Sequence, residues 1–183
     1  MSGLILFPSF IVAHECGHAL AALGFGLKTE LHYALTTYHG TREQVTPTVN
    51  LLITTAGVMV GVVLMALGFV WLWKRRRDRR SEAATVLDWL ATSLALNAGR
   101  WLRGFTGAPS NPQPDDEAFI SKALGLPSWL LPYCLALMAL IVSVAIIRQH
   151  AAGQRLLPFS AIMLGGVIGC ALWLWVIGPI ILP

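Results

Sequence analysis

Charge is scarce in this chain: Asp, Glu, Lys and Arg make up 12% of its 183 residues, about half the ~25% usual in a soluble domain. Hydrophobic residues account for 56% and the mean hydropathy is +0.67. That balance excludes an ordinary water-soluble globule and points to an integral protein of the cell membrane. Cysteine is also scarce. Cys16, Cys134 and Cys170 stand singly in apolar surroundings without CxxC spacing, which excludes a disulfide framework and a thiolate-ligated metal. They read as small buried hydrophobes. The N-terminus lacks the positive start and small-residue cleavage site of a secretory signal, so the first apolar segment is expected to stay in the mature protein. The length suits one domain, 1–183, with no separate regulatory module such as a PDZ domain.

The net charge of +4 is not spread over a nucleic-acid-binding face. Six of the thirteen basic residues fall in 74–80, directly behind Trp71 and Trp73. This reads as a membrane-surface loop with an aromatic anchor, so the expected partner is the lipid bilayer and no nucleic acid.

Crossing the hydrocarbon core takes about 20 apolar residues. The segments 4–27, 49–73, 129–147 and 157–182 approach or exceed that length. A fifth, 85–105, contains Asp88, Asn97, Arg100 and Arg103 and should face protein or a polar cavity rather than lipid. The expected fold class is an all-α polytopic membrane protein of five transmembrane helices. Gly57-xxx-Gly61 and Gly165-xxx-Gly169 are spacings that let membrane helices approach closely, and Trp173 and Trp175 suit an interfacial belt.

Two polar segments interrupt this pattern. Residues 27–35 roughly alternate in character within a stretch rich in Thr and Tyr, which favours a short β-hairpin closed near His39-Gly40, with a surface loop as the plainer reading. Residues 104–128 are the least apolar, centred on Pro109-Ser110-Asn111-Pro112-Gln113-Pro114-Asp115-Asp116-Glu117. The prolines rule out a regular helix through Pro114 and hold the acids behind them in extended-to-turn geometry.

Within the first apolar run lies His14-Glu15-Cys16-Gly17-His18. A helix brings residues four apart onto one face, so two imidazoles can grip one Zn²⁺ while Glu15 faces the attacking water. Such groups at bilayer depth cost about 2.5–3.5 kcal/mol each when ionised, and residues placed there at that cost usually mark function. Catalytic zinc normally takes a third protein ligand. His32, His39 and His150 lie in connecting segments without a motif around them and read as solvated. Asp115, Asp116 and Glu117 are the clustered acids. Asp116 is favoured because it leaves one residue of slack after Pro114, although an ordinary solvated acidic loop competes. Two neutral imidazoles, one ligating carboxylate, ionised Glu15 and Zn²⁺ sum to zero charge, so the assembled cluster carries no net charge to desolvate. Glu15 would act as general base, the metal would polarise the scissile carbonyl, and Asn97 or Arg100 could stabilise the oxyanion or orient substrate; the plainer and favoured role for Arg100 and Arg103 is to snorkel or to pair with Asp88 and the acidic loop.

At these residues the chain resembles the site-2 protease family of intramembrane zinc metalloproteases, especially its small members without a PDZ domain. The matching features are His14-Glu15-Cys16-Gly17-His18 in the first helix, the hairpin-like segment 28–38, Thr54-Thr55-Ala56-Gly57 opening the second helix, and Asn111-xx-Pro114 before an acid. The resemblance implies cleavage of substrate proteins in or beside their membrane helices, with His, His and Asp as ligands, Glu as base, and the hairpin gripping unwound substrate as an added strand. Family members carry Gly-Pro and a following Asn in the second helix, where this chain has Val58 after Gly57, and Leu-Asp-Gly at the third ligand, where it has Pro114-Asp115-Asp116-Glu117. These departures leave two other readings open: a non-proteolytic membrane-protein binding or chaperone-like relative, and a membrane metallohydrolase of another lineage. Orientation also differs. The positive-inside rule puts 74–80 and 148–155 in the cytoplasm and the hairpin outside, whereas the family's usual arrangement puts the hairpin near the cytoplasmic face.

Overall fold

The structure, a computed structural model, describes residues 2–78, 86–96, 115–149 and 156–182. It is mostly helical. Helix α1 (Ser2–Gly24) is followed by strands β1 (Lys28–Leu31) and β2 (Thr36–His39), α2 (Pro47–Asp78), α3 (Val86–Leu96), α4 (Asp116–Ala123), α5 (Leu130–Gln149) and α6 (Leu156–Leu172). A π-helical turn, Trp173–Ile177, then leads into the short α7 (Gly178–Ile181). Among the described residues, three stretches are long and apolar enough to cross a membrane: Pro47–Arg75, Leu130–Arg148 and Ser160–Ile181. The expected segments 4–27 and 85–105 contain α1, which stops at Gly24, and α3, but neither is among those three. Asn97, Arg100, Arg103 and Asn111–Pro114 lie outside the described residues.

Helix α1 packs chiefly against α2 and α6. It ends where Gly26 takes φ +72°, with Leu27 N–H bonded to Ala22 O at 3.1 Å and Gly26 N–H to Leu23 O at 2.9 Å. This double bond to the last turn needs a left-handed residue, which glycine supplies without steric cost. The chain is thereby turned back into β1. β1 and β2 are antiparallel, with Lys28 opposite His39 and Leu31 opposite Thr36.

The hairpin closes earlier than the sequence suggests. His32–Leu35 forms the turn, closed by His32 N–H to Leu35 O at 2.9 Å, and His39 ends the return strand instead of sitting in the loop. The reason is the β-forming run Thr36-Thr37-Tyr38, which is better used within a strand than in a turn. Leu27 and the half-buried Tyr38 join Ala22 and Ile53 in a small core at the hairpin's root.

Two further cores hold the helices together. Val58, Met65, Ile120, Leu135 and Ala139 join α2, α4 and α5, while Leu72, Ala91, Ala95, Leu96, Ile146 and Ile162 join α2, α3, α5 and α6. The first of these fixes α4, and hence Asp116 at its start, against the middle of α2. Elsewhere large apolar side chains such as Leu67, Leu137, Ile141 and Leu164 remain exposed, as expected on helix faces that meet lipid tails.

At the end of the long α2, the Arg75 Nε lies 2.6 Å from Asp88 Oδ1 on α3, and Trp71 Nε1–H points at the same oxygen at 3.4 Å. Trp173 does more than face an interface. Its Nε1–H donates to Tyr33 O at 2.8 Å, tying the hairpin turn to the last apolar helix. Trp175 is 81% exposed, in keeping with an interfacial role.

Candidate metal centre

His14 and His18 lie one helical turn apart on the inner face of α1, 4% and 8% exposed. Helical spacing explains their adjacency, and a close helix crossing explains their burial. Gly17 Cα is so near α2 that an added Cβ would lie 2.9 Å from Ala56 O and 3.0 Å from Gly57 Cα. Small residues at this crossing let the backbones meet.

The His18 Nδ1 sits 2.9 Å from Ile53 O. A carbonyl only accepts, so Nδ1 carries the hydrogen and Nε2 is left facing inward with its lone pair available, the usual arrangement behind a metal-binding imidazole. The His14 and His18 Nε2 atoms are 3.1 Å apart. Asp116 Oδ2 lies 2.9 Å from the first and 3.2 Å from the second.

These three atoms form a group able to hold a metal ion, all within 4.8 Å of one another. Electronegative atoms gathered so closely repel one another unless a cation or proton sits among them. For tetrahedral zinc with bonds of about 2.0–2.1 Å, neighbouring ligand atoms stand about 3.3 Å apart, and the separations here are close to that. The donor set of two imidazoles and one carboxylate also suits zinc. The residues therefore fit the ion.

Of the three candidate acids, Asp116 is the one brought to the histidines. Asp115 is exposed at the N-cap position of α4 and extended, with φ −54° and ψ 149°, whereas Asp116 and Glu117, expected to be extended or in a turn, form the first turn of the helix instead. Glu117 turns into the interior, 4% exposed, and its Oε1 has no hydrogen-bond partner among the described residues. Burial by itself would lift the Asp116 carboxyl above its ordinary value. When the Nε2 atoms of His14 and His18 carry a proton in place of a metal, the hydrogen bonds they donate to Asp116 outweigh burial and hold that carboxyl well below the usual carboxylate range.

Glu15, 8% exposed, receives a hydrogen bond on Oε2 from the Thr36 hydroxyl at 3.0 Å. Nearby, the Tyr38 hydroxyl donates to Asn50 Oδ1, and burial, with the Asp116 charge adding to it, pushes the Tyr38 phenol above its ordinary value. β2 thus brings two hydroxyls to the neighbourhood of the centre. His32 lies 4.0 Å from Glu30 and 3.4 Å from the Thr37 hydroxyl, and His39 is exposed; His150 lies outside the described residues.

Sequence reasoning passed over three participants. Thr36 gave no signal beyond β propensity, and the carbonyl of Ile53 gave none at all. Gly57 was legible only as a packing residue, yet an added Cβ there would overlap the His18 ring. Comparison with protein-family models, with curated proteins and with solved structures found no match.

Proposed function

We propose that this protein is an intramembrane zinc metalloendopeptidase of the site-2 protease type, hydrolysing peptide bonds in or near the membrane helices of substrate proteins. The reading rests on the residue-level resemblance and on one observation: the Nε2 atoms of His14 and His18 meet Asp116 Oδ2 on a buried helix face that also carries Glu15. In this reading α1 and α3 are embedded in the cell membrane along with the three longer apolar stretches, giving five spans.

A zinc ion in this site supplies a hydrolytic nucleophile at neutral pH and polarises the scissile carbonyl. The chain's own part is to hold and move protons. Glu15 takes the proton from the attacking water and returns it to the leaving amine, a role worth about 10²–10⁴ in rate. Asp116 and the histidines keep the site electrically balanced in apolar surroundings. The β1–β2 hairpin offers main-chain groups for an extended substrate, a grip that is indifferent to side chains.

The test is purified protein in detergent with a panel of fluorophore-labelled single-span helices, assayed for cleavage and for zinc. Glu15→Gln should keep one zinc per chain and lose cleavage by at least about a hundredfold. Undiminished turnover in that variant refutes the assigned base.

A further inference from the structure

We propose that Thr36 is a positioning residue for the base: its hydroxyl holds the Glu15 carboxylate in the orientation that hydrolysis requires. This rests on the protease reading above and adds a residue on a different element to its machinery. The Thr36 Oγ1 lies 3.0 Å from Glu15 Oε2 and 2.9 Å from the Glu15 backbone oxygen. Both acceptors belong to one residue, so the hydroxyl's one hydrogen is shared in a three-centre bond between the side chain and main chain of Glu15, which restrains the torsions between them.

A freely rotating Glu side chain spreads over many rotamers, and a base is useful only within hydrogen-bond reach of the proton it abstracts. Glu15 is buried, where a carboxylate oxygen needs a donor. Among the described residues, the Thr36 hydroxyl is the donor at hydrogen-bond distance from its side chain. A neutral hydroxyl also suits the task better than Lys or Arg, because it orients the carboxylate without forming an ion pair with it.

The hydroxyl is itself held from several directions. Thr36 opens β2, directly opposite Leu31, and the preceding turn is anchored by Tyr33 N–H to Leu182 O at 3.2 Å and by Trp173 Nε1–H to Tyr33 O at 2.8 Å. The root of the hairpin is fixed by Leu27 and Tyr38 in the core with Ile53. Support of this kind keeps a reacting group in place.

Zinc-loaded, full-length Thr36→Val and Thr36→Ser, alone and combined with Glu15→Gln, test the assignment. The infrared carboxylate stretch of Glu15, isolated by difference against Glu15→Gln, should move in Thr36→Val and return in Thr36→Ser. On a cleaved reporter helix, Thr36→Val should lower kcat roughly ten- to a hundredfold with KM and zinc content unchanged. Thr36→Ser should restore the rate, and Thr36→Val should have no further effect in the Glu15→Gln background. An unmoved stretch, or an equal loss of residual rate with and without Glu15, overturns the proposal and leaves Thr36 a strand anchor. If the stretch moves while the wild-type protein cleaves no helix, the protease reading fails and takes the catalytic role with it, while the contact stands.

Discussion

Gly57 lies directly against the His18 imidazole, so close that a Cβ added to it would overlap the ring. The ring cannot simply turn aside, because its Nδ1, itself among the atoms nearest the added Cβ, donates to Ile53 O. Gly57→Ala must therefore part α1 from α2 or break that hydrogen bond. We expect a loss of about 1–3 kcal/mol, the usual range for overpacking, together with weakened zinc binding. Thermal unfolding and metal analysis of the variant check this; wild-type values for both would show that the crossing has room to spare.

Metal removal should destabilise the protein. Stripped of a cation, two buried imidazoles and a carboxylate remain packed within 3.2 Å of one another, and binding energy at such a site is also folding energy. Chelation in detergent should lower the unfolding temperature, and Asp116→Asn should reproduce that state while Asp115→Asn should not. Equal unfolding with and without chelator would count against a structural contribution from the ion.

Acidification should release the metal through the histidines and not through Asp116. Hydrogen bonds donated by His14 and His18 once their Nε2 atoms take up a proton hold that carboxyl below the ordinary carboxylate range. A depressed carboxyl contributes stability that is present above its unfolded value and is lost only as pH falls below it. The proton competing with zinc between about pH 5 and 8 must then go to imidazole. Zinc affinity should fall with decreasing pH in that window, with at most two protons taken up by the ligands as the metal leaves. Uptake of a third ligand proton there would contradict the assignment.

The Arg75–Asp88 pair should matter for stability and not for the site. Its 2.6 Å contact joins the end of α2 to the first turn of α3, with side-chain exposures of 20% and 9%. Removing one member of a fully buried pair costs about 3–5 kcal/mol, but Arg75 keeps some solvent contact. For Asp88→Ala we expect about 2–3 kcal/mol, read from thermal unfolding, with zinc content unchanged.

Local pattern made much of this molecule legible. Long apolar runs mark α2, α5 and the α6 segment because each span must satisfy its own backbone in lipid. The spacing of His14 and His18 marks one helix face for the same reason of local geometry. The third acid was less accessible. Three adjacent carboxylates compete in sequence, and helix phase decides among them: Asp115 stands at the N-cap position of α4 and is exposed, Asp116 begins the helix toward α1, and Glu117 turns into the core.

The hairpin's existence followed from its Thr and Tyr content, but its turn did not, because a few residues of strand or turn differ too little in propensity for order to be read without the surrounding packing.

By itself, the sequence determined that this chain is membrane-suited, mostly helical and equipped with two histidines and a glutamate on one turn, since those properties depend on composition and short-range helical repeat. Tertiary structure alone decided that Asp116 meets them, that Ile53 O orients His18, that Gly57 makes room for its ring and that Thr36 reaches Glu15. Each of these joins residues separated by at least 21 positions, and such pairings arise only when whole helices and the hairpin bury their faces against one another.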